Sequence, residues 1–286
     1  MEQELISSLH AQFRQLRILF LLYLLAAILA LVLFFWNQAA TLAVLGISLL
    51  YHFLLVRPKS RAYEAAYVHA CAQLSLERHL KQARHTPEPT LDAADLRAAR
   101  LIADNGAPGS ILLREGGAGL GGGREVRLGD VTFAHSFSMD GKKHHEFVTG
   151  CWVRVALARD TGLDWRFLPP QVMLPASRMR FREEHPELEG LSLDSPLWKD
   201  GLILRPNGTP DLPVSGALRA LERLRKHSQA RTAVCIQGST LHVFLVNRIL
   251  GQKVNVRLSP TDAQLERDLL PELTDILALA DQLDQA

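Results

Sequence analysis

The stretch ILFLLYLLAAILALVLFFWNQAATLAVLGISLLYHFLLV, residues 18–56, contains no Asp, Glu, Lys or Arg. An ionised side chain at the centre of a bilayer costs about 2.5–3.5 kcal/mol even on the mildest scale. A single span needs roughly 20 apolar residues, and this run is long enough for two. Its one strongly polar pair, Asn37-Gln38, lies near the middle and divides it into Ile18–Trp36 and Ala39–Val56. A lipid-facing segment of this length satisfies its backbone only as a helix. The reading is therefore a transmembrane helical hairpin. The run is far longer than the roughly 7–15 residues of a secretory apolar region. A buried hairpin of a soluble protein is the plainer alternative, and length and lack of charge disfavour it.

Orientation is read from the flanks. Arg14 and Arg17 precede the first span; Arg57, Lys59 and Arg61 follow the second; the connection is uncharged. The positive-inside rule expects both flanks in the cytoplasm and Asn37-Gln38 on the far side. Phe34, Phe35 and Trp36 fall at the far interface, Tyr51 and His52 at the near one. Within residues 1–17, Leu5, Ile6, Leu9, Phe13 and Leu16 recur at helical spacing, the pattern of a cytoplasmic amphipathic helix.

The remainder of the 286-residue chain has ordinary polar patterning. A net charge of +2 gives no global field for nucleic acid. Three widely spaced cysteines, Cys71, Cys151 and Cys235, form no CxxC pair and read as reduced thiols. Residues 57–104 read as a helical connector. The Ala-rich stretch Ser60–Arg84 lacks Gly and Pro, and a short helix capped by Thr90 or Asp92 runs to Ile102, stopped by Asn105-Gly106. After residue 105 the apolar period falls from 3.6 to 2. Strands are expected at Ser110–Leu113, Arg124–Leu128, Val131–Ser138, Phe147–Ala158, Trp165–Leu168, Gln171–Leu174, Gly201–Leu204 and Val254–Leu258. Thr232–Ile236 and Leu241–Val246, joined at Gly238-Ser239, read as a hairpin. Helices are expected at Val214–His227 and Pro260–Leu283. The fold class is α+β, with residues 105–286 forming a mainly antiparallel cytoplasmic domain with flanking helices. The break near 183–200 offers a division into two lobes.

Several matching segments run in order: Phe13-Arg14 to Arg17, the apolar hairpin, Gly129–Ser136, the strand starting at Phe147-Val148-Thr149-Gly150-Cys151-Trp152-Val153, and Cys235–Val246 before a closing helix. In these the chain resembles a bacterial membrane-protein family of unknown function, built from an N-terminal two-helix hairpin and a C-terminal cytoplasmic α+β domain. The resemblance implies a two-span protein of the bacterial inner membrane. It brings no catalytic residues, and the Gly-rich stretch 116–123 lies outside its pattern.

Motifs for chemistry are few. Gly117-x-Gly119-x-x-Gly122 has dinucleotide-fingerprint spacing, but the alternating Arg124–Leu128 follows where a helix is required, so a hairpin loop is expected. His135, His144 and His145 match no zinc spacing and flank Lys142-Lys143, which suggests a solvated turn. Cys151 beside Trp152 in an apolar strand reads as a buried structural thiol. Ser136, Ser138 and Asp140 form no nucleophile elbow. Arg178, Arg180 and Arg182 alternate with Met179 and Phe181, which puts three guanidinium groups on one strand face. Such a row suits an anionic ligand or partner, although a charged strand face is also ordinary edge protection. Arg219, Arg223, Arg225 and Lys226 read as a solvated helix face.

No metal or cofactor is expected. The expected partners are the lipid bilayer, through residues 18–56, and a protein partner or a second copy. The function so indicated is a membrane-anchored interaction or regulatory module. The alternatives are a membrane-bound enzyme acting on a lipid or nucleotide, and a small oligomeric transporter or channel subunit.

Overall fold

The computed structural model describes residues 2–102, 109–139, 142–169, 181, 185–191, 201–211, 216–229, 231–251 and 262–285. The expected strands Gln171–Leu174 and Val254–Leu258, the Asn105-Gly106 stop and Arg178, Arg180 and Arg182 lie outside them. The chain divides into two compact units: Met1–Leu74 with Gln252–Arg267, and Ser75–Gly251 with Asp268–Ala286.

In the first unit, α1 (Glu2–Phe34) is one continuous helix, so the expected N-terminal amphipathic segment and first span are not separate elements. At 1.5 Å per residue it is about 50 Å long. Phe35 and Trp36 turn the chain, and Asn37 caps α2 (Gln38–Tyr51), its side chain accepting a hydrogen bond from Ala40 N at 3.1 Å. Asn suits this position because its oxygen satisfies a helix N–H that has no partner within the helix. A π-helical turn, His52–Val56, joins α2 to α3 (Arg57–Glu77). The two arms run antiparallel: Phe13 meets Tyr63 at 5.8 Å between ring centres and Tyr23 meets His52 at 5.4 Å. Two helices here are long and apolar enough to cross a membrane.

The side-chain distribution of this hairpin is inverted relative to a soluble helix pair. Within residues 18–55 the buried residues are small (Ala30, Thr41, Ser48), and the two hydroxyls bond back to their own helix at Asn37 O and Val44 O. Bulky apolar residues face outward: Leu25 is 61 % exposed, Ile47 68 % and Trp36 87 %. Small residues at a helix interface with large ones outside is the arrangement that lipid favours, because lipid rewards close backbone packing and imposes no cost on exposed Leu.

The second unit is built on a nine-stranded, wholly antiparallel sheet in the order β1-β2-β3-β4-β9-β8-β5-β7-β6. The strands are β1 (Lys81–Thr86), β2 (Ile111–Gly121), β3 (Arg124–Met139), β4 (Lys142–Ala156), β5 (Asp164–Leu168), β6 (Leu188–Leu191), β7 (Leu202–Pro206), β8 (Thr232–Gln237) and β9 (Thr240–Val246). The helices are α4 (Ala93–Ala99), α5 (Ala217–His227), the short α6 (Asp262–Leu265, in the first unit) and α7 (Leu273–Gln285). One sheet face carries a core of Val131, Phe133, Trp152, Phe244, Cys235 and Leu168 with Leu96 and Ala99 of α4. The other carries the buried Val126, Leu128, Cys151, Val153, Val243 and Leu245. The strands flanking the expected lobe break, β5 and β7, are hydrogen-bonded neighbours in this one sheet.

Four local expectations are corrected. The connector is not wholly helical: α3 stops at Glu77, Gln82 takes a left-handed φ of 54°, and Lys81–Thr86 pairs with β2 as an edge strand. Sheet pairing there overrides the helix propensity of the segment. The single helix expected over Pro260–Leu283 is two, Asp262–Leu265 and Leu273–Gln285; Pro271, which lacks an N–H, lies in the break just before the second. Lys142–His145 is not a turn but the start of β4, paired with β3 from Met139 inward. Gly116–Gly121 is strand as well, and the hairpin loop is only Gly122-Gly123, both at positive φ. The glycines are there for close approach. A Cβ on Gly117 would lie 2.6 Å from Leu76 Cδ1, on Gly119 2.9 Å from Leu80 Cβ, and on Gly121 2.5 Å from Leu277 Cδ2.

The inverted packing of the hairpin makes a paired prediction. Ser48→Leu forces bulk into the interface and destabilises the detergent-solubilised protein by about 1–3 kcal/mol. Leu49→Ala, at an outward position, changes stability by less than about 0.5 kcal/mol. Unfolding of both variants in micelles, followed by circular dichroism, checks this; equal losses would refute the assigned interface.

Candidate functional site

The site grows from the end of β9, where the chain leaves the sheet. Asp130 on β3 is buried, and its two carboxylate oxygens accept hydrogen bonds from Leu250 N at 2.8 Å and Gly251 N at 2.9 Å. This fastens the segment after β9 to the sheet. A Cβ on Gly251 would lie 3.1 Å from the Glu115 carboxylate, a tight contact that the Glu115 side chain would have to yield to. Glu115 in turn sits 3.4 Å from His85 Nε2. Burial pushes the Asp130 carboxyl up to about 6; the two backbone N–H groups oppose this, the Glu115 charge adds to it and His85 offsets it.

The fastened segment places Arg248 on Glu272. Both Nε (2.8 Å) and a terminal nitrogen (2.5 Å) of the guanidinium donate to the same oxygen, Oε1. A guanidinium fork more often takes one donor to each carboxylate oxygen. Here the second oxygen, Oε2, receives no donor, although Glu272 is 0 % exposed. Glu272 immediately precedes α7, its carbonyl accepting from Ile276 N at 3.0 Å. Beside it lies a cavity of about 120 Å³ lined by Ser228, Gln229, Arg231, Asn247, Arg248 and Glu272, among others. Two of these, Gln229 and Asn247, hold left-handed φ angles of 54° and 62°. Asn247 N donates to Thr149 O, which fixes the turn against β4. The structure thus collects, at one end of the sheet, a buried acceptor, cations and polar groups around a small space.

A second polar cluster connects residues 75–79 to the start of α7. Asp268 Oδ1 accepts from Ser75 Oγ at 3.0 Å and Leu270 N at 3.1 Å; its Oδ2 is 2.8 Å from His79 Nε2. His79 Nδ1 lies 3.1 Å from Thr274 Oγ1. Burial acts to raise the Asp268 carboxyl, but the His79, Leu270 and Ser75 interactions outweigh it and hold the group below the usual carboxylate range. A hydroxyl, an imidazole and a carboxylate in this order have the residue types of a nucleophile relay. Such a relay also needs oxyanion donors and a substrate space. Neither the Glu272 cavity nor a second one, of about 320 Å³ beside Arg159, Asp160 and Pro210, includes any of its residues. The cluster ties Ser75 and His79 to Asp268, Leu270 and Thr274.

On the opposite sheet face Trp152 Nε1 donates to His242 Nδ1 at 3.2 Å. Burial, with Arg154 and Arg166 nearby, pushes the imidazole down to about 3, so it stays neutral and accepts. The buried Arg166 donates to Ala99 O at 3.0 Å, where α4 ends, and pairs with Asp164 at 2.7 Å.

Of the residues singled out in the sequence, Arg14, Arg17, Arg57, Lys59 and Arg61 are exposed on either side of the apolar run, and Arg57 lies over the Phe53 ring at 5.6 Å. Cys151 is fully buried, and burial, with Asp130 alongside, pushes its thiol well above the ordinary value. Arg219, Arg223 and Lys226 are exposed, but Arg225 is buried, which corrects the expected solvated face. Among the described residues no group of three or more His, Cys, Asp or Glu is placed to hold a metal ion. Sequence reasoning missed Asp130, Arg248 and Glu272. The available signal was Pro271-Glu272, an acidic residue just after a helix-breaking proline. No protein-family model, curated protein or solved structure matches the chain. The family resemblance therefore rests on the order of segments alone.

The environment of Asp130 is checked by its titration. Its folded pKa lies above the ordinary 3.8, at about 6. Between these values the folded state keeps a proton that the unfolded chain has lost. Stability from this group is therefore greatest below the lower value, falls as pH rises through the window, and is level above it. Carboxyl-carbon NMR should place the midpoint near 6; an ordinary midpoint would show that the carboxylate is solvated.

Proposed function

We propose that the chain is an integral protein of the bacterial inner membrane, with two spans and both termini cytoplasmic, whose larger unit is an interaction or regulatory module. The observation that carries the anchor is the inverted hairpin, with small residues inside and bulky apolar ones outside over residues that lack any charge. In water that surface would be an association hazard far larger than isolated exposed residues present; in lipid it is the ordinary solvent-facing surface. The cationic flanks Arg14, Arg17, Arg57, Lys59 and Arg61 support the orientation.

The module reading draws on the larger unit. Leu112 and Phe147, 45 % and 67 % exposed, fall on one face of the sheet, through the register Leu112↔Thr132 and Ala134↔Phe147. Beyond Gly150 and Ile111 the β3–β4 hairpin continues with no further strand beside it among the described residues. Two exposed apolar side chains on this face, Phe147 on the projecting hairpin and Leu112 on the neighbouring β2, suit a protein partner or a second copy.

Cell membranes containing the protein are washed with alkaline carbonate and then cross-linked. The expected result is retention in the pellet until detergent is added, and a cross-linked species that Phe147→Lys reduces. Release by carbonate would overturn the anchor. A strictly monomeric protein that captures nothing would overturn the module.

A further inference from the structure

We propose that one side of the hairpin, at its cationic end, binds the phosphodiester head group of an anionic phospholipid between Arg14 and Arg17 of one arm and Arg57 and Arg61 of the other. This rests on the membrane anchor proposed above and names a lipid for it. The positive-inside rule needs cations near the ends of the spans but does not place them on one side. Here the helical geometry does. The ring contact of Phe13 with Tyr63 sets the two arms side by side at this level. The buried Leu9 and Leu16 share a stripe with Phe13, and the buried Tyr67 shares one with Tyr63, so these stripes mark the inner line of each arm. At about 100° per residue, Arg14 and Arg17 are offset from that line by about 70–130° and Arg57 and Arg61 by about 100–140°, in the same sense. Because the arms are antiparallel, offsets of the same sense project to the same side of the hairpin. Lys59, offset by about 60° in the opposite sense, projects to the other side.

The four arginines are also level with one another. Arg14 and Arg61 lie one and two residues from the Phe13–Tyr63 contact, and Arg17 and Arg57 lie four and six residues from it towards the apolar run, about 6–9 Å. All four are exposed, and none makes an ion pair among the described residues. Glu64, on the same side, lies farther from the apolar run than Arg61 and makes no ion pair with it. A guanidinium donates only, so its complement is anionic, and phosphate oxygens match its planar fork. The surface that follows makes the anion a lipid. Leu21, Leu24 and Ile28 continue the stripe of Arg14 and Arg17 at spacings of three and four, and they are 53 %, 55 % and 51 % exposed. On the other arm the Arg57 guanidinium reaches towards the apolar run and lies over the exposed Phe53 ring at 5.6 Å. Cations followed by exposed apolar side chains along one side repeat the order of head group and acyl chain in a phospholipid.

The test uses the full-length protein, delipidated in a non-ionic detergent, where insertion plays no part. Binding of dioleoylphosphatidylglycerol, dioleoylphosphatidylcholine, glycerophosphoglycerol and inorganic phosphate is followed by microscale thermophoresis. Phosphatidylglycerol should bind saturably and at least about tenfold more tightly than each of the other three. Arg57→Gln and Lys59→Gln each remove one positive charge, two residues apart. The first should weaken phosphatidylglycerol at least about threefold and the second less than about 1.5-fold. Arg17→Gln, on the other arm, should match Arg57→Gln. Melting followed by circular dichroism shows that each variant folds, and Arg61→Gln replaces any arginine variant that does not. Equal losses from Arg57→Gln and Lys59→Gln would overturn the site. So would phosphatidylcholine binding as tightly as phosphatidylglycerol, or a head group without chains binding as tightly as the lipid. Wild-type protein that gives one of these results yet stays in the carbonate pellet refutes this inference and leaves the anchor standing; release by carbonate refutes both.

Discussion

Ionised and hydrogen-bonding groups cannot lie in apolar surroundings without partners, and this constraint organises both units of the chain. In the hairpin it is met by exclusion: no charge occurs from Ile18 to Val56, and the buried hydroxyls of Thr41 and Ser48 bond to their own helix. In the larger unit it is met by pairing. Asp130 takes two backbone amides, Arg166 takes the Ala99 carbonyl and Asp164, and His242 stays neutral as the acceptor of the Trp152 indole. Glu272 Oε2 departs from the pattern, as do the buried hydroxyls of Tyr63, Ser110 and Thr232.

Each pairing also serves the architecture. The two amides on Asp130 hold residues 250–251 to the third strand, and that tether brings Arg248 to Glu272, immediately before α7. The Asp268 cluster fastens the same helix start to Ser75 and His79. Where no polar tie exists, shape does the fastening. The glycine strip of β2 lets Leu76, Leu80 and Leu277 approach the backbone more closely than any other residue would allow. Polar ties and the glycine strip thus converge on α7, the helix that begins at the cavity.

The sequence reveals what depends on local pattern and conceals what depends on distant partners. The apolar run, its division at Asn37-Gln38, the β8–β9 turn at Gly238-Ser239 and the antiparallel α+β class were all legible, because period, composition and turn residues carry them. The edge strand β1 was not, since its residues are good helix formers and only pairing with β2 makes them extended. The break at Pro271 was written in the sequence and outweighed by the amphipathic stripe around it. The candidate site was illegible for a plain reason. Asp130 lies far along the chain from its amides at 250 and 251, and Arg248 and Glu272 sit on separate elements, with no motif spacing between them. The basic row at Arg178, Arg180 and Arg182, which reads as an ordinary charged strand face or a face for an anionic partner, falls outside the described residues.

The central claim, a charge-free hairpin that crosses the membrane twice and leaves the larger unit in the cytoplasm, is open to direct measurement. All three native cysteines are buried, so engineered thiols can be read against a quiet background. Gln38→Cys marks the turn between the helices and Gln285→Cys the end of α7, both at exposed positions. In intact spheroplasts an impermeant maleimide should label the first and reach the second only after the membrane is opened. Labelling of Gln285→Cys from outside, or equal labelling of both, would contradict the account.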